Sequence, residues 1–264
     1  MKNLCVTTIM LMLLSSAIGA QEFKSLSDDE LIKLYTGLRV ADVSDGMDFV
    51  GLHDQGLMDP SIEALWKDIE NFDHQICGIA LTVRYVPTDR KFPTDLPAKD
   101  YQKWVNHWYS QISSELFIDS IRPGSVVVID NTGDGDTGTA GSNNTMVWTQ
   151  RGMVGLISTG GVRDTDEIIK QRIPVYMNLS KRGRGIRPGR NELESVNQPV
   201  VVGDVLVNPG DVIVADGDGV IVVPRTHAVE VAMFAHDVLR SDKASRKRLY
   251  EELGLPIDFT VEED

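Results

Sequence analysis

The side chains of this chain best suited to chemistry fall between positions 130 and 166. A valine-rich run, Ser125-Val126-Val127-Val128-Ile129, delivers Asp130. A glycine-rich turn, Gly133-Asp134-Gly135-Asp136-Thr137-Gly138, follows, and Gly141-Ser142-Asn143-Asn144 then opens a predicted helix. After one more apolar run comes Gly160-Gly161-Val162-Arg163-Asp164. Both polar clusters follow predicted strands. If those strands are parallel, the clusters share one edge of a sheet, which is where open α/β sheets bind ligands. Amides at a helix N-terminus attract a carboxylate, and a neighbouring arginine grips the same anion. An adjacent aspartate can hold a divalent cation, because Mg²⁺ commonly needs one or two protein carboxylates, with water and substrate oxygens completing its shell. Together these groups suit a 2-oxo acid, with its carboxylate on the amides and Arg163 and its keto oxygen on a metal. Such a metal stabilises an enolate as a neighbouring C–C bond breaks. The plainer alternative is a surface ion pair, Arg163-Asp164, capping a helix that starts near Asp166.

The elements that must position these groups are legible from pattern. Ser27-Asp28-Asp29-Glu30 is a capping box ahead of an apolar run, so a first helix starts there. Positions 40–47 predict a second short helix. Positions 79–86 are apolar and β-branched, which predicts a strand. Positions 99–121 have helical periodicity, with Trp104, Trp108, Ile112 and Leu116 spaced by four, and the apolar stripe is expected in the core. The second half predicts strands at 125–130, 153–158 and 175–177, a helix from 144 to 150 and a short one at 166–170. Short valine-rich strands follow at 200–202, 205–207, 212–214 and 220–223, separated in part by Asn208-Pro209-Gly210 and Asp216-Gly217-Asp218-Gly219 turns. Positions 226–250 close the chain as a helix with Val229, Met233 and Val238 on one face. Alternating strands and helices followed by a strand cluster predict one α/β domain.

Other motifs carry less. Asp134-Gly135-Asp136 and Asp216-Gly217-Asp218 resemble fragments of calcium loops but lack the remaining ligands. Gly133-x-Gly135-x-x-Gly138 is a lone match to a dinucleotide loop, with no helix opening directly after Gly138. The five histidines show no metal-ligand spacing, and there is no Gly-x-Ser-x-Gly elbow. The basic stretch from Lys181 to Arg187 is either a solvated loop or a meeting point for a second anionic group.

Composition bounds the partners. The 264 residues carry 26 Lys plus Arg against 39 Asp plus Glu, a formal net charge of −13. An acidic chain is a poor general nucleic-acid binder, because phosphate contacts need a basic face. It is equally unsuited to a polybasic membrane-surface role. Residues 1–20 read as a secretory signal peptide: Lys2, an apolar run over 4–14, then small residues ending in Ala20. The expected organisation is therefore 1–20 leader and 21–264 a single domain, exported to the periplasm or outside the cell. Cleavage removes Lys2 alone among the charges, leaving 25 basic against 39 acidic residues, net −14. Cys5 leaves with the leader, so Cys77 stands alone and no internal disulfide is expected. Its apolar surroundings predict a small buried hydrophobe.

Positions 38–236 resemble the RraA-like family, which includes the class II 4-hydroxy-4-methyl-2-oxoglutarate aldolases. The matching residues are Val128-Ile129-Asp130, Gly133-Asp134, Gly141 to Asn144, the block from Gly160 through Glu167, Asn208-Pro209-Gly210-Asp211 and Ala215-Asp216-Gly217-Asp218-Gly219-Val220. Upstream, Val40-Ala41-Asp42-Val43-Ser44-Asp45 and Gly78-Ile79-Ala80-Leu81-Thr82-Val83 also fit. The resemblance implies a swivelling β/β/α-type single domain with helical extensions, assembled as a homotrimer or hexamer. It implies substrate binding by Gly141, Ser142, Asn143, Asn144 and Arg163, catalysis by Arg163 and Asp164, and Mg²⁺ or Mn²⁺ at Asp164. The implied reaction is retro-aldol cleavage of a 4-hydroxy-2-oxo acid to pyruvate, with oxaloacetate decarboxylation as a related activity. Ser142 departs from the pattern, since many aldolase members carry an acid there, and so does Thr159, where an aspartate is common. Segments 92–113 and 181–190 are longer than in short members. Two other functions stay open: a non-catalytic regulatory protein, as some relatives are towards ribonuclease E, and an exported sugar-acid lyase.

Overall fold

The computed structural model describes residues 26–262. Two short helices lead, α1 (Asp28–Tyr35) and α2 (Val40–Phe49). The Ser27 capping box forms as expected, with Glu30 Oε2 accepting from the Ser27 N–H at 2.8 Å. Strands β1 (Ile62–Ala64) and β2 (Ile76–Pro87) follow, then α3 (Ala98–His107), β3 (Ser125–Asp130), α4 (Ser142–Gln150), β4 (Met153–Ser158), α5 (Thr165–Lys170) and β5 (Val175–Asn178). The second half adds β6 (Asn191–Val196), β7 (Val200–Val202), β8 (Val205–Val207), β9 (Val212–Asp216) and β10 (Gly219–Val223), and ends in α6 (Ala228–Leu253). The predicted leader lies outside the described residues. Among the described residues, no helix is long and apolar enough to cross a membrane.

Seven strands run in the order β1-β5-β4-β3-β2-β9-β10, and β6 pairs with the far half of β2. Strands β2 through β5 are mutually parallel, and the outer pairings are antiparallel. The two ends of the sheet approach each other. The Met58 N–H reaches the Val220 carbonyl at 3.0 Å, and the Val222 N–H reaches Gly56 at 2.9 Å. The result is a nearly closed barrel within a mixed α/β domain, in agreement with the expected class.

Strand alternation explains the layers. Val126, Val128, Ala80, Ile213 and Ala215 point inward and meet β7 and β8 residues Val200, Val202 and Val207. Val127, Ile129, Leu81 and Val83 point outward beneath Trp148 of α4 and Ile168 of α5. Val212 and Val214 face the third layer, formed by α1, α2 and α6. β1 and β6 are too short or too polar to have stood out in sequence.

Two expectations need correcting. The 99–121 segment is not one helix: α3 gives way to a π-helical turn at Trp108–Ile112 and then a 3-10 turn at Leu116–Ser120. Tertiary demands break it. The Trp108 indole N–H donates to the Asn191 carbonyl at 2.9 Å, and the Ser113 hydroxyl donates to Asn191 Oδ1 at 2.6 Å. Nor is the apolar stripe all core, since Leu116 is 72% exposed. In α6 the buried face is Ala228, Val231, Ala232, Ala235 and Leu239. Met233, expected on that face, is exposed, because small side chains are what allow α2 and α6 to approach: a Cβ on Gly46 would sit 2.7 Å from the Val231 carbonyl oxygen.

Candidate active site

The parallel pairing of β3 and β4 does bring both polar clusters to one edge, where they meet different fates. The first turns inward. Asp134 is buried, and its Oδ2 accepts from Asn191 Nδ2 (2.9 Å), Thr139 Oγ1 (3.0 Å) and Asn131 Nδ2 (3.3 Å). Burial holds its carboxyl above the usual range, while these three donors pull the other way. Asn131 is tied in turn to Thr159, whose hydroxyl donates to Asn131 Oδ1 at 2.6 Å. Thr159, at a position where an aspartate is common in the family, therefore serves this network. The calcium-loop fragments are spent in the same way. Asp216 Oδ2 accepts the Val40 N–H at 2.9 Å, and its Oδ1 accepts the Asp218 N–H at 2.8 Å.

The second cluster stays open. Arg163 and Asp164 have side chains 34% and 40% exposed. They line a cleft of about 360 Å³ together with Tyr109, Glu115, Gly138, Asn143, Asn144 and Arg187. Asp164 occupies the N-cap position of α5 with φ +56°, in the left-handed region, yet its side chain makes no capping bond. Of the plainer alternative, the helix cap therefore does not form, whereas the ion pair does, at long range. Its Oδ2 accepts the Ser142 N–H at 3.3 Å across the cleft, and the Arg163 Nε lies 3.8 Å from its Oδ1. A non-glycine residue held in this region of backbone space recurs at ligand clamps.

The α4 N-terminus faces this pair. Gly141 is the N-cap, and its N–H donates to Asn144 Oδ1 at 3.2 Å. Glycine lets the two clusters approach closely here, since a Cβ would lie 2.6 Å from Asp164 Oδ2 and push that side chain aside. Thr145 is the first residue of the helix to donate back along it, to the Gly141 carbonyl. The amides of Asn143 and Asn144 precede it and have no carbonyl of the helix to serve, so they remain available to an anion. All the residues singled out in the sequence, Gly141, Ser142, Asn143, Asn144, Arg163 and Asp164, thus converge on one place. Ser142 enters through its backbone.

The opposite wall is formed by Tyr109 and Glu115, which the sequence did not mark, and by Arg187 from the basic stretch. Arg187 is buried, with Nη2 on Glu115 Oε1 at 2.5 Å, Nη1 on the Tyr85 hydroxyl at 3.1 Å, and the Tyr109 ring centroid 4.8 Å from its guanidinium carbon. Tyr109 rides on the π-helical turn, a feature frequent at functional sites. The basic stretch therefore divides. Arg187 turns into the site and Arg184 pairs with Asp136 at 2.7 Å. Lys181 and Arg182 line a separate cleft of about 470 Å³ beside the Gly133–Asp136 turn. The sequence signals for the second wall were the basic stretch that ends in Arg187 and the extra length of segments 92–113 and 181–190.

The donor set limits what metal the cleft can hold. Among the described residues, no trio of His, Cys, Asp or Glu side chains could hold an ion. The cleft offers Asp164 as its one available carboxylate, because Glu115 already accepts from Asn144, Arg187 and Trp148. That fits Mg²⁺ or Mn²⁺ keeping most of its waters, and not an all-protein cage. Cys77 is not a competing nucleophile: it is half-buried in the helical layer, and burial pushes its thiol up to about 12.

The site therefore sets a helix start, an arginine and one available carboxylate together at the edge of a barrel-like α/β domain. The model of the RraA-like family, described as Aldolase/RraA, matches residues 40–222, and the chain belongs to that family. Protein DlpA of Legionella pneumophila is 30% identical over 193 residues, 72% of this chain and 27% of DlpA. A 4-hydroxy-4-methyl-2-oxoglutarate aldolase of Thermus thermophilus is 30% identical over 102 residues, 39% of this chain and 60% of the aldolase. The chain thus spans about a quarter of DlpA's length and 60% of that aldolase's. A solved structure from Streptomyces coelicolor, RraAS2, is described as an unusual member of the RNase ES inhibitor RraA family. It superposes with a TM-score of 0.63 at 23% identity, covering 83% of this chain and 97% of RraAS2, and shows the shared fold.

Proposed function

We propose that this protein is a divalent-metal-dependent lyase that cleaves a 4-hydroxy-2-oxo acid to pyruvate and also decarboxylates oxaloacetate. The observation that carries the reading is the convergence of Arg163, Asp164 and the Asn143 and Asn144 amides on one cleft. Relatives named as 4-hydroxy-4-methyl-2-oxoglutarate aldolases support it.

The amides and Arg163 bind the substrate carboxylate and fix the 2-oxo group beside Asp164. A Mg²⁺ or Mn²⁺ held by Asp164 supplies Lewis acidity for the charge that develops on the keto oxygen. In the retro-aldol direction the C4 hydroxyl loses its proton, the C3–C4 bond breaks, and the electron pair passes into the C2–C3 enolate. The departing half leaves as a carbonyl compound, and protonation at C3 gives pyruvate. Oxaloacetate follows the same course with CO₂ leaving from C3. Arg163 next to the developing enolate keeps positive charge where negative charge grows. Ser142 offers no carboxylate to act as a base at neutral pH, so the proton from the C4 hydroxyl goes to solvent or to a group other than residue 142.

Export through the 1–20 leader and assembly as a homotrimer or hexamer belong to the same proposal. The leader pattern supports the first and family membership the second. The test is pyruvate release from oxaloacetate and from a 4-hydroxy-2-oxo acid, with Mg²⁺, against a protein-free Mg²⁺ blank. Release above the blank from either substrate is expected. None from both, with the protein folded, overturns the lyase reading and leaves the regulatory one.

A further inference from the structure

Glu115 reaches the anion-binding loop from the opposite wall. Its side chain is 14% exposed, and that of its partner Arg187 is 5% exposed. Oε1 accepts from Asn144 Nδ2 at 2.6 Å and from Arg187 Nη2 at 2.5 Å, and Oε2 accepts from Trp148 Nε1 at 3.1 Å. Arg187 balances the charge, which is what makes a carboxylate tolerable at this depth.

A carboxylate paired with arginine can only accept. Asn144 must therefore turn its NH₂ toward Glu115, and its Oδ1 is left facing the other way, onto the Gly141 N–H at 3.2 Å. The Ser142 N–H is directed to Asp164. With those two donors engaged, the next two, on Asn143 and Asn144, are the ones presented to a ligand.

We infer that Glu115 is a positioning residue: it sets the direction of the Asn144 amide and so holds the Gly141–Asn144 turn in the form that receives a carboxylate. This rests on the 2-oxo acid reading of the site. The segment that reads as a sequence insertion thereby acquires a role, because Glu115 follows the π-helical turn that ends it.

Two variants and their combination test the relay. Glu115→Gln replaces an acceptor with a group that also donates. In either orientation one of its hydrogens faces another donor, at Asn144 and Arg187 or at Trp148. Asn144→Ala deletes the link but keeps the main-chain amide and leaves Glu115 paired with Arg187 and Trp148, so it stays informative if the first variant folds poorly. Each variant is expected to raise KM for oxaloacetate about tenfold with kcat within about threefold, since carboxylate binding is shared by ground and transition states. The double variant should be no worse than the poorer single, because both cut one chain of contacts. In the absence of substrate, hydrogen exchange at the Gly141 amide should quicken in both. Unchanged KM and Gly141 exchange, additive effects, or a fall in kcat alone overturns the inference. A wild-type protein that releases no pyruvate faults the lyase reading instead, and the exchange measurement still decides the relay.

Discussion

Two polar clusters leave adjacent parallel strands of the same sheet, and they end as opposites. After β3, Asp134 is buried, and its Oδ2 is enclosed by three donors. After β4, Asp164 is held by one long amide contact and a distant guanidinium, and it faces a cleft. Both are aspartates beside glycines at strand ends. What separates them is whether the surroundings supply matching partners. Asn191, brought in by β6, completes the first cluster, and nothing comparable completes the second. A polar group left unmatched at a wall of a cleft is free to serve a ligand, whereas a matched one serves the fold.

The contrast breaks if the open cluster proves structural. Asp164→Asn keeps the shape and suits the left-handed backbone, and Arg163→Ala removes the anion grip. Each should lower pyruvate release about 10²- to 10³-fold, while the urea midpoint shifts little because both side chains are partly exposed. A large loss of stability with activity per folded molecule intact would reverse the assignment. The converse variant is Asp134→Ala. It orphans three buried donors and should cost about 2–3 kcal/mol in urea unfolding, with kcat per folded molecule near wild type.

Gly141→Ala sharpens the boundary between the clusters. The backbone there accepts any residue at φ −138°, so the fold tolerates alanine, but the new Cβ crowds Asp164 Oδ2. Activity should fall about tenfold, roughly 1.4 kcal/mol, with the midpoint of unfolding nearly unchanged.

The smallest effect is a pH dependence. The Asp134 carboxyl is raised in the folded protein by burial. A group raised on folding contributes stability that is present below its unfolded value and lost as pH rises through the folded one. Asp134→Asn removes that loss. Its stability relative to wild type should climb from pH 3 to pH 7 in paired urea titrations, and parallel curves would show that Asp134 does not titrate in this range.

Much of this was legible in sequence because it rests on local patterns. The Ser27 box, the β-branched runs, and the helices starting at Val40 and near Asn144 depend on neighbours a few residues apart. So does the edge placement of the two clusters, given that β3 and β4 are parallel. The family block Gly160 to Glu167 marked Arg163 and Asp164, and the loop before α4 marked their partners. The net charge argued against a general nucleic-acid partner but did not describe the pocket, whose polarity comes from a few groups facing inward.

Only the tertiary structure decided the rest. Periodicity at 99–121 gave a helix, but Asn191, about eighty residues away, draws Trp108 and Ser113 out of register. The apolar stripe on α6 gave way to a small-residue face because α2 lies against it. Glu115, Tyr109 and Arg187 belong to the site through contacts spanning about 30 to 80 positions, and no local spacing encodes such pairs. The sequence by itself determined which residues could do the chemistry. Which aspartate was left free to do it was decided by partners that only the folded chain brings together.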